Sequence, residues 1–245
     1  MQFGNGTLDS VAPGDYDGDG KVDYTTVRAF GTADNNNLVW FSLLSSTNTL
    51  RTVYFGSIAS PSSNLEGTAI FNGADFNGDG RDEFVLLNRN TATDAQGNST
   101  ATVNYYIGDS VTGALLNNSL FGVTKFSYGN YDSDYSITPA DYTGDGKTDF
   151  VACRQTNPSA RAIWHVRNSA TGAVTGTRFG IADPTFMGGG DIPVRGDYDG
   201  DNRHDIAVWR PSNRTFYYIS TQFDNFQSQQ FGDTGDTPLG AFGQY

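Results

Sequence analysis

Apolar positions along this chain alternate with polar ones or bunch into short runs, and they lack the three-and-four spacing of an amphipathic helix. The pattern predicts strands. Four runs end in arginine: YTTVR at Arg28, FVLLNR at Arg89, FVACR at Arg154 and IAVWR at Arg210. An aromatic-rich run follows each one, in LVWFSL around Trp40, VNYYIG around Tyr105, AIWHVR around Trp164 and TFYYIS around Tyr217. A Phe-Gly pair then closes the unit, at Phe55-Gly56, Phe121-Gly122, Phe179-Gly180 and Phe231-Gly232. The turn-forming stretches near Asn48, Gly172 and Asn213 supply hairpin chemistry between these runs. The insertion Thr91 to Thr100 lengthens only the second unit's hairpin and reads as a surface loop.

Between a short leading strand (SVAPGDY, AIFNGADF, SITPADY or IPVRGDY) and each arginine-ended run lies an Asp-rich segment. These are DYDGDGKVDY from Asp15, DFNGDGRDEF from Asp75, DYTGDGKTDF from Asp141 and DYDGDNRHDI from Asp197, spaced 60, 66 and 56 positions apart. A repeat of this length is one four-stranded unit. The fold class predicted is therefore all-β: one repeat domain over residues 1–245, with units at about 5–56, 57–122, 123–180 and 181–232. Residues 233–245 read as the start of a fifth unit or as a closing strand. Phe3-Gly4 is a further Phe-Gly pair with no unit before it. These uneven ends imply either a longer array or terminal strands that complete each other or a neighbouring chain.

Calcium takes six to eight oxygens, and aspartates at alternate positions of a tight loop bring several carboxylates to one point. The first loop offers Asp15, Asp17, Asp19, the carbonyl of Lys21, and Asp23 at position nine. The second offers Asp75, Asn77, Asp79, the carbonyl of Arg81, and Glu83. The third offers Asp141, Thr143, Asp145, the carbonyl of Lys147, and Asp149. The fourth offers Asp197, Asp199, Asp201, the carbonyl of Arg203, and Asp205. Thr143 replaces a carboxylate, so the third loop is expected to bind most weakly. Asn202 stands where the other loops have glycine, a position that needs positive φ, which Asn tolerates. Position twelve is Thr26, Leu86, Ala152 or Val208, which excludes an EF-hand. An all-oxygen set without His or Cys disfavours zinc and copper. Any single loop also reads as an Asp-Gly turn with no ion; four in phase favour metal, with up to four Ca²⁺.

Charge sharpens this picture. The net charge is −12, and 15 of the 27 acidic residues sit in the four loops, a concentration that four calcium ions would reduce to −4. The same charge repels a phosphate backbone, so nucleic acid is not an expected partner. With 37% hydrophobic residues and 30 glycines, the chain suits short strands and tight turns. It has no apolar run long enough for a membrane helix. Cys153, the sole cysteine, makes no intrachain disulfide and reads as a buried thiol; Trp40, Trp164 and Trp209 read as core. The recurring arginines read as partners of loop carboxylates or as strand caps. Sequons at Asn5, Asn98, Asn117 and Asn213 arise readily in an Asn- and Thr-rich chain.

The pattern D-x-D-G-D-G-x-x-D, preceded by a short strand, followed by a strand ending in Arg and closed by Phe-Gly, resembles FG-GAP or VCBS-type repeats. These are similar to the calcium-loop blades of the integrin α-subunit, and the sequence style resembles bacterial members. The resemblance implies a β-propeller of about four blades, with calcium loops joining the first two strands of each. It also implies an extracellular or cell-surface protein that binds a glycan or a surface protein without being an enzyme. The chain has only His165 and His204, and no Ser, His and Asp constellation, which agrees with that expectation. Two alternatives stand beside it: a self-assembling surface or filament subunit, associating through its terminal strands, and an accessory or catalytic domain of a polysaccharide-degrading enzyme.

Overall fold

In the computed structural model the residues described are 9–32, 35–58, 68–93, 96, 99–123, 126–130, 134–136, 139–154, 161–182, 190–236 and 238. Turn residues cut the apolar runs into strands that pair with their nearest neighbours in sequence. The result is all-β: four sheets, each a four-stranded antiparallel meander.

The first sheet holds β1 (Asp9–Val11), β2 (Tyr24–Thr32), β3 (Asn35–Leu43) and β4 (Leu50–Ile58). The second holds β5 (Thr68–Phe71), β6 (Phe84–Thr93), β7 (Ser99–Gly108) and β8 (Phe126–Asn130), with the short helix α1 (Asn117–Phe121) before β8. The third is β9 (Asp134–Ser136), β10 (Phe150–Arg154), β11 (Arg161–Arg167) and β12 (Val174–Ile181). The fourth is β13 (Ile192–Val194), β14 (Ile206–Arg210), β15 (Thr215–Ser220) and β16 (Asn225–Gln230). By contact density the chain forms two compact units, Met1–Tyr128 and Gly129–Tyr245.

Strand alternation decides which side chains are buried. In β11 the exposure follows a strict two-residue period, with Ala162, Trp164 and Val166 inward. In the first unit, Val27, Trp40, Val53 and Phe55 of the first sheet close on Phe84 and Leu86 of the second. The Trp40 and Phe84 rings stack with centroids 4.2 Å apart. In the second unit Cys153, Trp164 and Phe179 share a core with Val208, and Trp209 packs with Val194 and Ala207. All three tryptophans and the cysteine are buried.

The Phe-Gly pairs have a backbone function. The carbonyl of Phe55 accepts the Trp40 indole N–H at 3.1 Å, and that of Phe179 accepts the Trp164 indole N–H at 3.1 Å. Gly56 and Gly180 follow with φ of 82° and 88° where the register of β4 on β3 and of β12 on β11 shifts, a bulge conformation that glycine adopts without steric cost.

The second sheet departs from the expected unit in two places. Strands β6 and β7 stay in register as far as Thr93 opposite Ser99, so the insertion lengthens the hairpin as expected, and Thr91–Thr93, Ser99 and Thr100 do so as paired strand where a loop was expected. Phe121-Gly122 does not close a strand either. Phe121 ends α1 and Gly122 caps it at φ 70°, while the fourth strand comes later, at Phe126–Asn130. Asn117 explains the detour. Its fully buried amide accepts the Ile107 N–H at 2.7 Å and donates to the Tyr105 carbonyl at 2.7 Å, taking the place of a neighbouring strand along β7. The sequon at Asn117 is therefore closed to modification.

Replacing Asn117 by Ala strands one buried donor and one buried acceptor. We expect Asn117→Ala to cost about 2–4 kcal/mol in chemical denaturation. Ser119→Ala, on the exposed side of α1, should leave the midpoint unchanged.

Candidate metal centres

Each Asp-rich segment turns between the first and second strands of its sheet. The position-one carboxylate shapes the turn by accepting successive backbone N–H groups. Asp15 accepts from Gly18 at 2.8 Å, Asp19 at 3.2 Å and Gly20 at 2.8 Å. Asp75 accepts from Gly78 and Gly80, and Asp141 from Gly144, Asp145 and Gly146. Asp197 accepts from Gly200, Asp201 and Asn202. Asn202 adopts φ 68°, the conformation that Gly20, Gly80 and Gly146 adopt in the other loops.

The loops differ in how tightly they gather oxygen. One carboxylate oxygen from each of Asp15, Asp17 and Asp19 lies within 4.8 Å of the others in the first loop. Asp75, Asp79 and Glu83 do the same in the second, and Asp197, Asp199 and Asp205 in the fourth. The third loop forms no such group. There Asn168, at the turn after β11, donates its Nδ2 to Thr143 Oγ1 at 2.8 Å and to Asp145 Oδ2 at 2.7 Å, so an amide occupies carboxylate lone pairs. In the second loop the Arg81 guanidinium takes Asp79 Oδ2 at 2.8 Å, and Asn77 is turned to Glu83 Oε1 at 2.6 Å. Lys21 lies 3.7 Å from Asp19. The backbone N–H groups of Lys21, Arg81, Lys147 and Arg203 donate to the position-five aspartates.

The position-nine acid is buried in every loop: Asp23, Glu83, Asp149 and Asp205 are at most 2% exposed. One oxygen of each accepts the N–H of the loop's second residue, namely Tyr16, Phe76, Tyr142 or Tyr198. In three loops the other oxygen reaches the turn after the third strand, accepting from Ser45 at 2.6 Å, Ser169 at 3.1 Å or Thr221 at 3.2 Å. The same turns carry hydroxyls to the exposed acids: Ser45 to Asp19, Ser46 to Asp17, Ser220 to Asp199 and Thr221 to Asp201. Sequence reasoning missed these donors. A Ser or Thr at the turn after each aromatic run was the available signal.

Burial and like charge set the titration of these acids. The Glu83 carboxyl is pushed up to about 8, by burial first and then by Asp75 and Asp79. Burial, with Asp145 beside it, pushes Asp149 up to about 6. Asp205 rises for the same reasons, with Asp199 and Asp197 nearby. Asp199 goes the other way because the Ser220 hydroxyl bonds its charged form. Burial pushes the Asp17 carboxyl up, and the Ser46 hydroxyl and N–H outweigh it. His204 is held below its ordinary value by burial and then by Arg195.

Neighbouring loops within a unit are latched together. Asp82 donates its N–H to the Asp15 carbonyl at 2.7 Å and accepts the Asp15 N–H on Oδ2 at 2.7 Å. His204 repeats the backbone bond to the Asp141 carbonyl at 2.7 Å. This gives His204 a structural place between the third and fourth loops. Two of the recurring arginines pair with acids ahead of the loops and not with the loop acids. Arg28 makes a two-pronged ion pair with Asp9 and Arg210 with Asp191, each acid lying six residues ahead of its loop. Arg154 sits in register with Asp134. In the sequence Asp9 and Asp191 are single acids six residues ahead of a much denser cluster, with no motif that marks them as arginine partners.

No family model matches the chain, so the FG-GAP or VCBS resemblance gains no support there, and no curated protein matches it. Solved structures similar to it include two of one enzyme. One is a GH43_1 enzyme from Xanthomonas citri complexed with xylotriose, at 10% identity over 91% of this chain and 72% of that chain, with a TM-score of 0.42. The other is the same enzyme complexed with xylose, at 11% identity over 91% and 73%, with a TM-score of 0.41. The expectation of a non-enzymatic adhesion module is corrected by this finding: the similar structures are sugar complexes of an enzyme, and the exclusion of an enzyme is withdrawn. The likeness is too loose to transfer a reaction or a catalytic residue. No helix among the described residues is long and apolar enough to cross a membrane.

The raised carboxyl of Glu83 has a definite consequence for stability. Its ordinary value is 4.5 and its folded value about 8, so the folded state holds a proton that the unfolded chain has released. That contribution is complete below the lower value and is lost as pH rises through the upper one. His204 acts oppositely, but only below its ordinary value of 6.5. Metal-stripped protein should therefore lose stability from about pH 6.5 to about pH 8.5, and Glu83→Gln should flatten that slope. Thermal melts across this range check both.

Proposed function

We propose that this chain is a calcium-binding β-repeat domain in which the first, second and fourth loops each hold a Ca²⁺ ion and the third binds most weakly. The observation that carries the reading is the convergence of three carboxylate oxygens within 4.8 Å in those three loops. Like charges at that spacing repel, and a hard cation offsets the repulsion. All the donors are oxygens, which suits calcium over zinc. The bonds that occupy Asp145 and Thr143 in the third loop support its weaker rank. The meander sheets, with a loop between the first and second strands of each, support reading them as propeller blades.

Calorimetry on calcium-stripped protein should show at least three ions bound and a higher melting temperature. Asp17→Ala should remove one ion and Asp199→Ala another, whereas Asp145→Ala should leave the strong stoichiometry unchanged. Failure to take up calcium would overturn the reading.

A second reading places the chain in a polysaccharide-degrading enzyme, as an accessory domain that holds sugar. One observation favours it. A cleft of about 440 Å³ in the first unit is lined by Phe55, Leu86 and Leu115 together with Ser57, Asn88 and Tyr106. That volume lies within the range of small-molecule sites. The lining has apolar and aromatic surface, an amide and two hydroxyls, and no carboxylate, so it suits binding of a neutral sugar and not its cleavage. Titration with xylose and xylotriose should shift the amide resonances of Asn88 and Tyr106. No shift at those residues would exclude this site.

A further inference from the structure

Asparagine followed by glycine is the pair in which a backbone nitrogen most readily attacks the preceding side-chain amide, because glycine carries no Cβ to hinder the approach. Two such pairs lie among the described residues, Asn72-Gly73 and Asn77-Gly78. The fold treats them differently. Asn72 follows β5, is only 7% exposed, and its amide donates to the Pro13 carbonyl at 3.1 Å. Asn77 stands at position three of the second Asp-rich loop, and the glycine after it is exposed.

The loop holds the Asn77 side chain in a reactive pose. Its Oδ1 accepts the Asp79 N–H at 2.7 Å, a bond that folds the amide back along the Gly78 peptide group. That donor also polarises the amide carbonyl toward attack. The Gly78 N–H is bonded to Asp75 Oδ1 at 2.6 Å, so a carboxylate stands where the attacking nitrogen must give up its proton.

We propose that Asn77-Gly78 is a self-modification site, at which the Asn77 amide is converted to a carboxylate within the folded loop. The Gly78 nitrogen bonds to the Asn77 side-chain carbonyl carbon, and its proton passes to Asp75. The bond from that carbon to Nδ2 breaks, and the nitrogen takes up the proton and leaves as ammonia. Water then opens the cyclic imide, adding hydroxyl to one carbonyl carbon and hydrogen to the Gly78 nitrogen. Opening at the side-chain carbon leaves aspartate, and opening at the backbone carbon leaves isoaspartate. No oxidant or cofactor takes part.

The aspartate product suits the loop that makes it. Asp17 and Asp199 hold position three in the first and fourth loops, and their Oδ1 atoms accept the equivalent N–H, from Asp19 and Asp201, at 3.2 Å. Conversion gives the second loop the same acids at positions one, three, five and nine. It also exchanges a bond for a repulsion. Asn77 Nδ2 donates to Glu83 Oε1 at 2.6 Å, and an oxygen in its place faces a second carboxylate, a contact that a cation relieves. On the calcium reading above, on which this consequence alone rests, conversion strengthens the second site.

Ageing the whole chain in calcium-free buffer at neutral pH, followed by fragmentation mass spectrometry, tests the conversion. The mass gain of an amide becoming an acid should accumulate at Asn77 and not at Asn72, with ammonia released in step and aspartate among the products. Digesting first and ageing the peptides should abolish the preference. Asn77→Gln should remove the gain, and Asn72→Gln should leave it unchanged. No gain at Asn77, an equal gain at Asn72 in the folded chain, or a product that is wholly isoaspartate would each overturn the proposal. Calorimetry reads the consequence separately: Asn77→Asp should bind calcium at the second loop about tenfold more tightly than the wild type. Equal binding would overturn that consequence. Conversion in a chain that takes up no calcium would overturn the calcium reading and uphold the modification.

Discussion

Each sheet starts from a carboxylate buried at the foot of its second strand, and the arrangement around it follows from the need to satisfy that group. An ionised acid taken out of water is costly unless its lone pairs are occupied. Asp23, Asp149 and Asp205 divide their oxygens, one to the second residue of the Asp-rich loop and one to the turn after the third strand. The loop and the far hairpin are thereby held by the same side chain. Glu83 is one methylene longer and spends both oxygens within its own loop, on the Phe76 N–H and the Asn77 amide. It also carries the largest upward displacement of any acid with a resolved value.

This anchoring fixes the exposed acids. Once the loop is pinned at position nine and wrapped around its position-one aspartate, the carboxylates at positions three and five have little room to move apart. Hydroxyls from the hairpin turn bond them in the first and fourth loops, an arginine does so in the second and an amide in the third. The four loops are therefore not equivalent copies. Their common backbone creates concentrated negative charge, and their local partners decide how much of it is left for a cation.

Much of this was legible in the sequence. The phase of loop, arginine-ended run, aromatic run and Phe-Gly pair matches the strand order of the first, third and fourth sheets, because two-residue alternation and turn chemistry act locally; in the second sheet the last strand comes after the Phe-Gly pair. What could not be read depends on contacts distant in sequence. The Asp9–Arg28 and Asp191–Arg210 pairs join residues 19 apart across a strand pair. Asn117 replaces a strand through bonds to two backbone groups, and nothing in its neighbourhood marks it as buried. The position-nine acids were read as ligands, while the structure gives them a second role as ties between loop and hairpin. The identity of the chain's activity was the least legible feature, since the repeated motif describes a scaffold.

The central claim is that the loops are built around cations and are not merely acidic turns. Anomalous diffraction from crystals grown in calcium tests it most directly. The account predicts peaks coordinated by Asp15, Asp17 and Asp19, by Asp75, Asp79 and Glu83, and by Asp197, Asp199 and Asp205, with the weakest occupancy at Asp141 and Asp145. Well-ordered loops holding only water at all four positions would contradict it.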